Sequence, residues 1–302
     1  MKGKNLADEL IHLYIDGAFS RRELVRRIRE ATGTTAGLGA TLAAMGALSS
    51  KAIAQQCPDN VRVPEGADGI ATESVEYPGE AGKLLGYLAK PAPDGPDPIA
   101  AIMVVHENRG LTDYIKDVTR RVAQAGFVGL GIDLLSRQGG TDQFTDPASQ
   151  AQAYNKTVPA ERLADMRSSV AWLRTRNEVA ADRIGTVGFC AGGGNVWLVA
   201  TSGETLQAYV AFYGTPIPAT DQLDNLNAPI LLNYAELDSR LTGTIPLAAL
   251  TQKQKRFALS VYENAGHAFH NDTGPAYNRT AACDAWSKTI DFFGRHLSPP
   301  TN

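Results

Sequence analysis

The run Gly-Phe-Cys-Ala-Gly-Gly-Gly at residues 188–194 constrains the fold of this chain more than any other stretch. It follows the continuous apolar segment 184–189, which predicts a strand buried on both faces, and it precedes a helical pattern. A tight turn from strand to helix holds its central residue in a strained conformation with an exposed side chain, so the residues two before and two after it must be very small. Gly188 and Gly192 meet that requirement, which makes Cys190 a candidate nucleophile.

The helix predicted after Cys190 would favour a thiolate over a thiol, because its N-terminal amides and the positive end of its dipole point at the sulfur. The alternative is that Cys190 is a small buried apolar residue and that the glycines form an ordinary strand-to-helix turn. The run alone leaves both interpretations open.

The chain from about residue 70 alternates short apolar runs with longer segments of helical periodicity, which predicts one α/β domain with a mostly parallel sheet of about eight strands and helices on both faces. The predicted strands are Ser74–Tyr77, Leu84–Ala89, Ile99–His106, Phe127–Ile132, Ile184–Phe189, Ala208–Tyr213, Ile230–Tyr234 and Phe257–Tyr262. The predicted helices are Thr112–Ala125, Ala160–Arg176, Gly193–Ala200 and Ala276–His296. The first two strands are expected to form an antiparallel hairpin, because only the turn 78–82 separates them.

An acid and then a histidine follow Cys190, each shortly after a later predicted strand. Asp238 comes after the seventh strand and His267 after the eighth, which is the chain order that a nucleophile–acid–histidine triad on an α/β sheet requires. Glu236 competes with Asp238 as the acid, and His270 is the weaker candidate for the base because it lies farther from a strand end. Each residue alone would more often be a solvated loop residue, so the argument rests on the three together.

Composition and charge exclude several classes of protein. Hydrophobic residues make up 43% of the chain and charged residues 20%, as in soluble globular enzymes. The formal net charge of -3 offers no general attraction to phosphate backbones, so nucleic acid is not an expected partner. The three cysteines include no C-x-x-C pair and the remaining histidines have no metal-ligand spacing, so we predict neither a metal site nor a cofactor. Whether Cys57 and Cys283 form a disulfide is left open, because sequence gives no distance.

The pattern of the N-terminal segment is typical of an export signal. Residues 19–26 carry paired arginines, an uncharged stretch follows Glu30, and Ala-Ile-Ala at 52–54 has the small residues that a signal peptidase accepts. We therefore predict a twin-arginine-type signal over 1–54 and a periplasmic or secreted protein.

The mature chain would then have an extension over 55–69 and the α/β domain over 70–302. A lipid anchor on Cys57 is not expected, because Gln55 and Gln56 occupy the positions before it. The alternative is that residues 5–31 form an amphipathic helix of a cytoplasmic protein. We expect no stable membrane anchor, and the sequence leaves the oligomeric state unknown.

Gly188-Phe189-Cys190-Ala191-Gly192-Gly193, together with Asp238 and His267, resembles the dienelactone hydrolase (carboxymethylenebutenolidase) family of the α/β-hydrolase superfamily, over roughly residues 70–297. The resemblance implies an α/β-hydrolase fold. It also implies that Glu107 modulates the ionisation of the nucleophile, and that the backbone amides of Asn108 and Ala191 form the oxyanion hole.

The segment 133–138, Asp-Leu-Leu-Ser-Arg-Gln, is similar to the family segment whose arginine grips a substrate carboxylate, which implies a substrate-binding role for Arg137. The other interpretation of Arg137 is an exposed loop residue. The family's type enzyme also has an arginine four residues after the histidine, where this chain has Asn271. The expected carboxylate clamp is therefore incomplete, and the dienelactone itself is in question as the natural substrate.

The residues and the resemblance together predict hydrolysis of a small-molecule lactone or ester through a Cys190–His267–Asp238 triad and a thioester intermediate. Two alternatives belong to other classes. A thiol redox protein would use Cys190, although no resolving cysteine lies nearby and an Asp–His pair would be superfluous. An exported binding domain would keep the fold without turning over an ester.

Overall fold

The computed structural model describes residues 61–93, 95, 97–238, 241 and 244–299, which belong to one compact unit of the chain. The predicted signal segment 1–54, the alternative helix 5–31 and Cys57 lie outside the described residues. The described part of the predicted extension packs against the domain, since the Val63 amide donates to Asp117 and the Val63 carbonyl accepts from Arg120.

Eight strands form a single sheet in the order β1-β2-β4-β3-β5-β6-β7-β8. They are β1 Ile70–Gly79, β2 Gly82–Pro91, β3 Ile99–Val105, β4 Val128–Asp133, β5 Val179–Phe189, β6 Ala208–Phe212, β7 Ile230–Ala235 and β8 Phe257–Tyr262. β1 and β2 are an antiparallel hairpin, β2 pairs antiparallel with β4, and the other neighbours are parallel. The predicted mostly parallel α/β sheet is therefore confirmed.

Six α-helices lie in the described part of the chain, five between strands and the sixth after β8. They are α1 Asp113–Gln124, α2 Pro147–Lys156, α3 Pro159–Arg174, α4 Ala191–Ala200, α5 Leu247–Gln252 and α6 Arg279–His296. The sequence pattern predicted α1, α3, α4 and α6, but it missed the two others. In α2 only Ala153 and Tyr154 are buried, which is too little for an apolar stripe, and α5 is six residues long.

The core lies along the central strands. β4, β6 and β7 are buried at every residue, and β3 at every residue but its first, as expected of parallel strands covered on both faces. No helix among the residues described is long and apolar enough to cross a membrane.

The parallel strands β3 to β8 all end at one edge of the sheet, here called the carboxyl edge. In open α/β sheets, ligands bind in the crevice outside this edge. Glu107 follows β3, Cys190 follows β5, Asp238 follows β7 and His267 follows β8. The fold thus brings residues from four strand ends to the same place.

Candidate active site

Cys190 occupies the turn between β5 and α4 with φ 54° and ψ −117°. A positive φ is strained for a residue with a Cβ atom, so neighbouring contacts must hold it. The Cys190 amide donates to the carbonyl of Phe212 on β6 at 3.1 Å, and its carbonyl accepts from the amide of Gly194 at 3.2 Å. The helix begins at Ala191, two residues earlier than the sequence predicted, because a single strained residue completes the turn.

Gly188 and Gly192, on either side of Cys190, leave no room for a side chain. A Cβ atom on Gly188 would lie 2.2 Å from the carbonyl oxygen of Gly192. On Gly192 it would lie 2.2 Å from the carbonyl oxygen of Val105 and 2.5 Å from that of His106. The requirement for very small residues at both positions is therefore a property of the folded backbone.

Cys190, His267 and Asp238 meet in one hydrogen-bonded row. The Nε2 atom of His267 lies 3.1 Å from the sulfur of Cys190, and its Nδ1 atom lies 2.5 Å from Oδ2 of Asp238. An ionised carboxylate can only accept, so Nδ1 carries the proton and Nε2 faces the sulfur. The side chain of Asp238 is 2% exposed and that of His267 is 23% exposed, so the imidazole is accessible to a ligand while the carboxylate is shielded from water.

The competing acid and base lie elsewhere. The carboxylate of Glu236 accepts from the exposed backbone amide of Asn264 at 3.0 Å. His270 is buried, its Nδ1 atom lies 2.8 Å from the Tyr114 hydroxyl, and its ring packs on Phe189. Burial lowers the pKa of His270 well below its usual value, and the charge of Arg121 acts in the same direction. His270 is therefore a neutral core residue.

Glu107 contacts the residue that occupies the position of the family's second arginine. Its Oε2 atom accepts a hydrogen bond from Nδ2 of Asn271 at 2.8 Å. Burial raises the pKa of Glu107, while the hydrogen bond from Asn271 and the charge of Arg109 oppose that rise. The amide at 271 thus supports the carboxylate without adding a charge, and modulation of Cys190 by Glu107 stays a prediction.

The loop after β3 lies against the first turn of α4, since the carbonyls of Val105 and His106 approach Gly192 so closely. This places the backbone of Asn108 and Ala191, the predicted donors of the oxyanion hole, in two adjoining segments. Their role in binding an oxyanion stays a prediction.

Among the described residues, the guanidinium group of Arg137 contacts Asp165 and no member of the triad. Nε and Nη2 form a two-pronged salt bridge with the carboxylate of Asp165, with the shortest distance 2.8 Å. The Asp165 side chain is 4% exposed, so this charge pair is largely shielded from solvent. The role in holding a substrate carboxylate that the resemblance implies for Arg137 would require Asp165 to release the guanidinium.

A polar cluster near Cys190 was missed by the sequence analysis. Asn195 on α4 donates through Nδ2 to the Tyr154 hydroxyl at 2.9 Å and accepts through Oδ1 from Nε of Arg162 at 3.1 Å. Burial raises the pKa of Tyr154, the charge of Arg162 and the Asn195 hydrogen bond oppose that rise, and the charge of Cys190 adds to it. Tyr154 lies on α2, which the sequence did not reveal, so no available signal pointed to this cluster.

The cysteines differ in state. Cys190 is a partly exposed thiol outside any disulfide, whereas Cys283 is disulfide-bonded. In the described part of the chain, no group of three or more His, Cys, Asp and Glu side chains is placed to hold a metal ion.

The sheet order and the placement of the three side chains at the carboxyl edge are those of an α/β-hydrolase. The sequence model of the dienelactone hydrolase family matches residues 84–297. The chain therefore belongs to the dienelactone hydrolase family and is a carboxylic ester or lactone hydrolase, as the sequence predicted.

Similar proteins have names in keeping with that family. The chain is 32% identical over 247 residues to a "Putative carboxymethylenebutenolidase" of Methylorubrum extorquens, covering 76% of this chain and 83% of the relative. It is 33% identical over 243 residues to a "Probable 2-oxo-3-(5-oxofuran-2-ylidene)propanoate lactonase" of Bradyrhizobium sp, covering 76% and 96%.

Among solved structures, a "Putative Dienelactone Hydrolase" from Klebsiella pneumoniae matches with a TM-score of 0.68 and 28% identity, covering 76% of this chain and 100% of that one. A dienelactone hydrolase-like promiscuous phosphotriesterase from metagenomic libraries has the same fold, with a TM-score of 0.66, 22% identity and coverage of 76% and 100%.

Proposed function

We propose that Cys190, His267 and Asp238 are a catalytic triad that hydrolyses a small lactone or activated ester through a thioester on Cys190. One observation carries this proposal: a single imidazole bridges the sulfur at 3.1 Å and a buried carboxylate at 2.5 Å. The distance from the imidazole to the sulfur lies within the reach expected of a nucleophile and its base, and the contact with the carboxylate is a short hydrogen bond to the group that orients the base.

In the acylation step, the Cys190 thiolate attacks the carbonyl carbon and forms a carbon–sulfur bond. The carbonyl electrons move to oxygen, and the resulting oxyanion is stabilised by the backbone amides of Asn108 and Ala191. The carbon–oxygen bond to the leaving group then breaks, and the protonated His267 supplies the proton that the leaving oxygen takes up.

In the deacylation step, a water molecule attacks the thioester while His267 removes its proton. The second tetrahedral intermediate expels the thiolate, releases the acid and restores the enzyme. Asp238 holds the imidazole in the reactive tautomer and stabilises the imidazolium form in both steps. Its low exposure strengthens that interaction, because little water screens the charge.

The nucleophile determines which substrates react well. A tetrahedral adduct of cysteine expels thiolate more readily than a poor alkoxide or an amide anion, so good leaving groups are needed for forward reaction. We therefore propose enol esters and lactones, and not amides, as the substrate class.

The proposal is tested by hydrolysis of a chromogenic short-chain ester and a panel of dienelactones, using the full chain and the variants Cys190→Ala and His267→Ala. His296→Ala is the matched control, because His296 lies at the end of α6 and is only partly buried. We expect activity in the parent and in the control, and none above background in the two site variants.

A parent enzyme that leaves every ester and lactone intact, while Cys190 stays reduced and reactive, would overturn the proposal. Ligand binding that survives Cys190→Ala without any turnover would instead identify a binding domain.

We also propose that the chain is exported by the twin-arginine route. The paired arginines at 21 and 22 and the Ala-Ile-Ala at 52–54 support this, and so does the disulfide-bonded state of Cys283, since disulfides persist in oxidising compartments. Cell fractionation tests it: the full chain is expected in the periplasm or medium without its first 54 residues. The double variant Arg21→Lys, Arg22→Lys is expected to stay uncleaved in the cytoplasm, and its export would contradict the proposal.

A further inference from the structure

His106 is a fully buried histidine that the triad chemistry does not use. It follows the last residue of β3 and precedes Glu107, and its side chain is 0% exposed. A buried imidazole needs hydrogen-bond partners for both ring nitrogens, and these partners determine what the ring holds in place.

Both nitrogens of His106 contact the backbone. The amide of Leu134, just after β4, lies 2.9 Å from Nε2, and the carbonyl oxygen of Glu107 lies 2.5 Å from Nδ1. A backbone amide can only donate, so Nε2 must be unprotonated and the ring proton must lie on Nδ1. The Nδ1–H group therefore donates to the Glu107 carbonyl.

The surroundings keep His106 neutral. Burial lowers its pKa, and the charge of Asp133 and the hydrogen bond to Glu107 oppose that effect. The nearest carboxylate oxygen, Oδ1 of Asp133, lies 4.0 Å from Nε2, and the Tyr154 ring meets the imidazole edge-on with centroids 6.0 Å apart. A second proton, on Nε2, would face the N–H group of Leu134, so the neutral ring with its proton on Nδ1 is strongly favoured.

The hydrogen bond from His106 to the Glu107 carbonyl also fixes the direction of the next amide, that of Asn108. In a trans peptide the carbonyl and the following amide N–H point in opposite directions within one rigid plane. The Glu107 carbonyl oxygen also accepts a hydrogen bond from the amide of Gly110 at 3.4 Å, so two donors lie on the carbonyl side of this peptide. The N–H of Asn108 must then point away from His106 and Gly110.

The same loop abuts the nucleophile's helix. The carbonyl oxygens of Val105 and His106 lie 2.2 and 2.5 Å from the position of a Cβ atom on Gly192, the residue that follows Ala191. Because the peptide is a rigid plane, a rotation of the Glu107–Asn108 peptide would redirect the Asn108 amide, whereas the Ala191 amide belongs to the separate helix α4.

We propose that His106 is a positioning residue, which fixes the plane of the Glu107–Asn108 peptide through Nδ1–H and so aims the Asn108 amide at the developing oxyanion. The proposal rests on the proposed hydrolase function and deepens it. In this proposal His106 acts through the Glu107–Asn108 peptide, to which its ring is hydrogen-bonded.

The two ring nitrogens can be tested separately. In His106→Asn, the side-chain amide nitrogen takes the position of Nδ1 and can still donate to Glu107, but the contact with Leu134 is lost. In His106→Gln, the side-chain oxygen reaches the position of Nε2 and can still accept from Leu134, but no donor faces Glu107. The pair separates orientation of the peptide from anchoring of the strand end.

Three readouts are compared in the full-length parent and both variants: kcat and KM for a chromogenic ester, the rate at which iodoacetamide alkylates Cys190, and thermal unfolding. Alkylation is a displacement at saturated carbon, so it needs the thiolate and not the oxyanion hole. We expect His106→Gln to lower kcat by about 10²-fold, near the loss seen when one oxyanion donor is removed. KM and the alkylation rate should change by less than about threefold, because binding and thiolate formation do not depend on this amide.

His106→Asn should keep kcat within about threefold of the parent, since the donor to Glu107 is retained. The proposal fails if His106→Gln has normal kcat, or if kcat and alkylation fall together in both variants. If His106→Gln does not fold, the kcat of His106→Asn tests the proposal. A kcat close to that of the parent supports it, and a loss of about 10²-fold, as expected when one oxyanion donor is removed, contradicts it. An inactive parent would contradict the hydrolase function itself, which is a distinct result.

Discussion

The two segments that face each other at the carboxyl edge, the nucleophile turn 188–194 and the loop 106–110, are held in place by different means. The nucleophile turn is fixed by backbone geometry: a positive φ at Cys190 and glycines that leave no space for a Cβ atom. The loop is fixed by side-chain hydrogen bonds from His106 and Asn271. The conformation of the nucleophile turn therefore depends on the small size of its own residues. The conformation of the loop depends on hydrogen bonds, one of them from a residue distant in sequence.

The largest effect should come from the nucleophile side of this comparison. Cys190→Ala removes the attacking atom, and we expect kcat to fall by about 10⁴-fold or more, as for single triad deletions in other hydrolases. Asp238→Asn keeps the shape but favours the wrong tautomer of His267, with an expected loss of about 10³- to 10⁴-fold. Steady-state kinetics measures both effects, and a loss of kcat in only one of the two variants would contradict the triad.

Gly192→Ala tests the contact between the two segments. The added Cβ atom would push against two carbonyl oxygens of rigid backbone, so we expect the free energy of unfolding to fall by about 1–3 kcal/mol. Gly294→Ala is the matched control in helix α6, where nothing lies within 4 Å of the new atom. There alanine should stabilise by up to about 1 kcal/mol, because glycine is a poor helix former. Equal effects in urea unfolding would contradict the close approach.

Glu107→Gln tests the electrostatics of the loop. The pKa of Glu107 is raised from 4.5 in the folded state, so folding favours the protonated acid and the free energy of unfolding decreases as pH rises through that raised pKa. Glutamine removes this dependence while keeping an oxygen for Asn271. We expect the variant to gain stability over the parent at neutral pH and to show no gain below pH 4.5, in urea unfolding at several pH values.

The control for this measurement is Glu263→Gln, at an exposed position. A gain of the same size at every pH would mean that charge burial is not the cause.

The smallest effect is expected at Arg137. Because Asp165 already occupies the guanidinium, Arg137→Gln should change the ratio of kcat/KM for a carboxylate-bearing lactone to that for its methyl ester by less than about threefold. A fall of about tenfold or more in that ratio would show that the arginine leaves Asp165 to hold the substrate, as a bidentate carboxylate contact would require.

The predictable part of the fold follows from where apolar residues are continuous. The central strands β3, β4, β6 and β7 could be predicted because they are buried along continuous apolar runs. The outer strands β1 and β8 are mostly unburied and were predicted from short runs of strand-forming residues. The site order Cys190, Asp238, His267 could be predicted because each residue follows a predicted strand. The helix α2 could not, since only two of its ten residues are buried and its sequence has no apolar stripe.

The remainder of the site depends on pairings that no local pattern encodes. Nothing near His106 indicates that its partners are the backbone of Glu107 and Leu134, and nothing near Arg137 indicates that Asp165 lies opposite it. Asn271, which first appeared as a missing arginine, has a partner in Glu107 that lies 164 residues away in the chain. Such contacts become visible only when strand order is known.

The central claim, that Cys190 carries the acyl group, is tested most directly by acid-quenching the enzyme within milliseconds of mixing with a chromogenic ester and analysing its peptides by mass spectrometry. The account predicts one acyl group on the peptide that contains Cys190, removed by hydroxylamine, formed before steady turnover and absent in Cys190→Ala. Ester hydrolysis that proceeds at full rate without any acyl group on this peptide would contradict it.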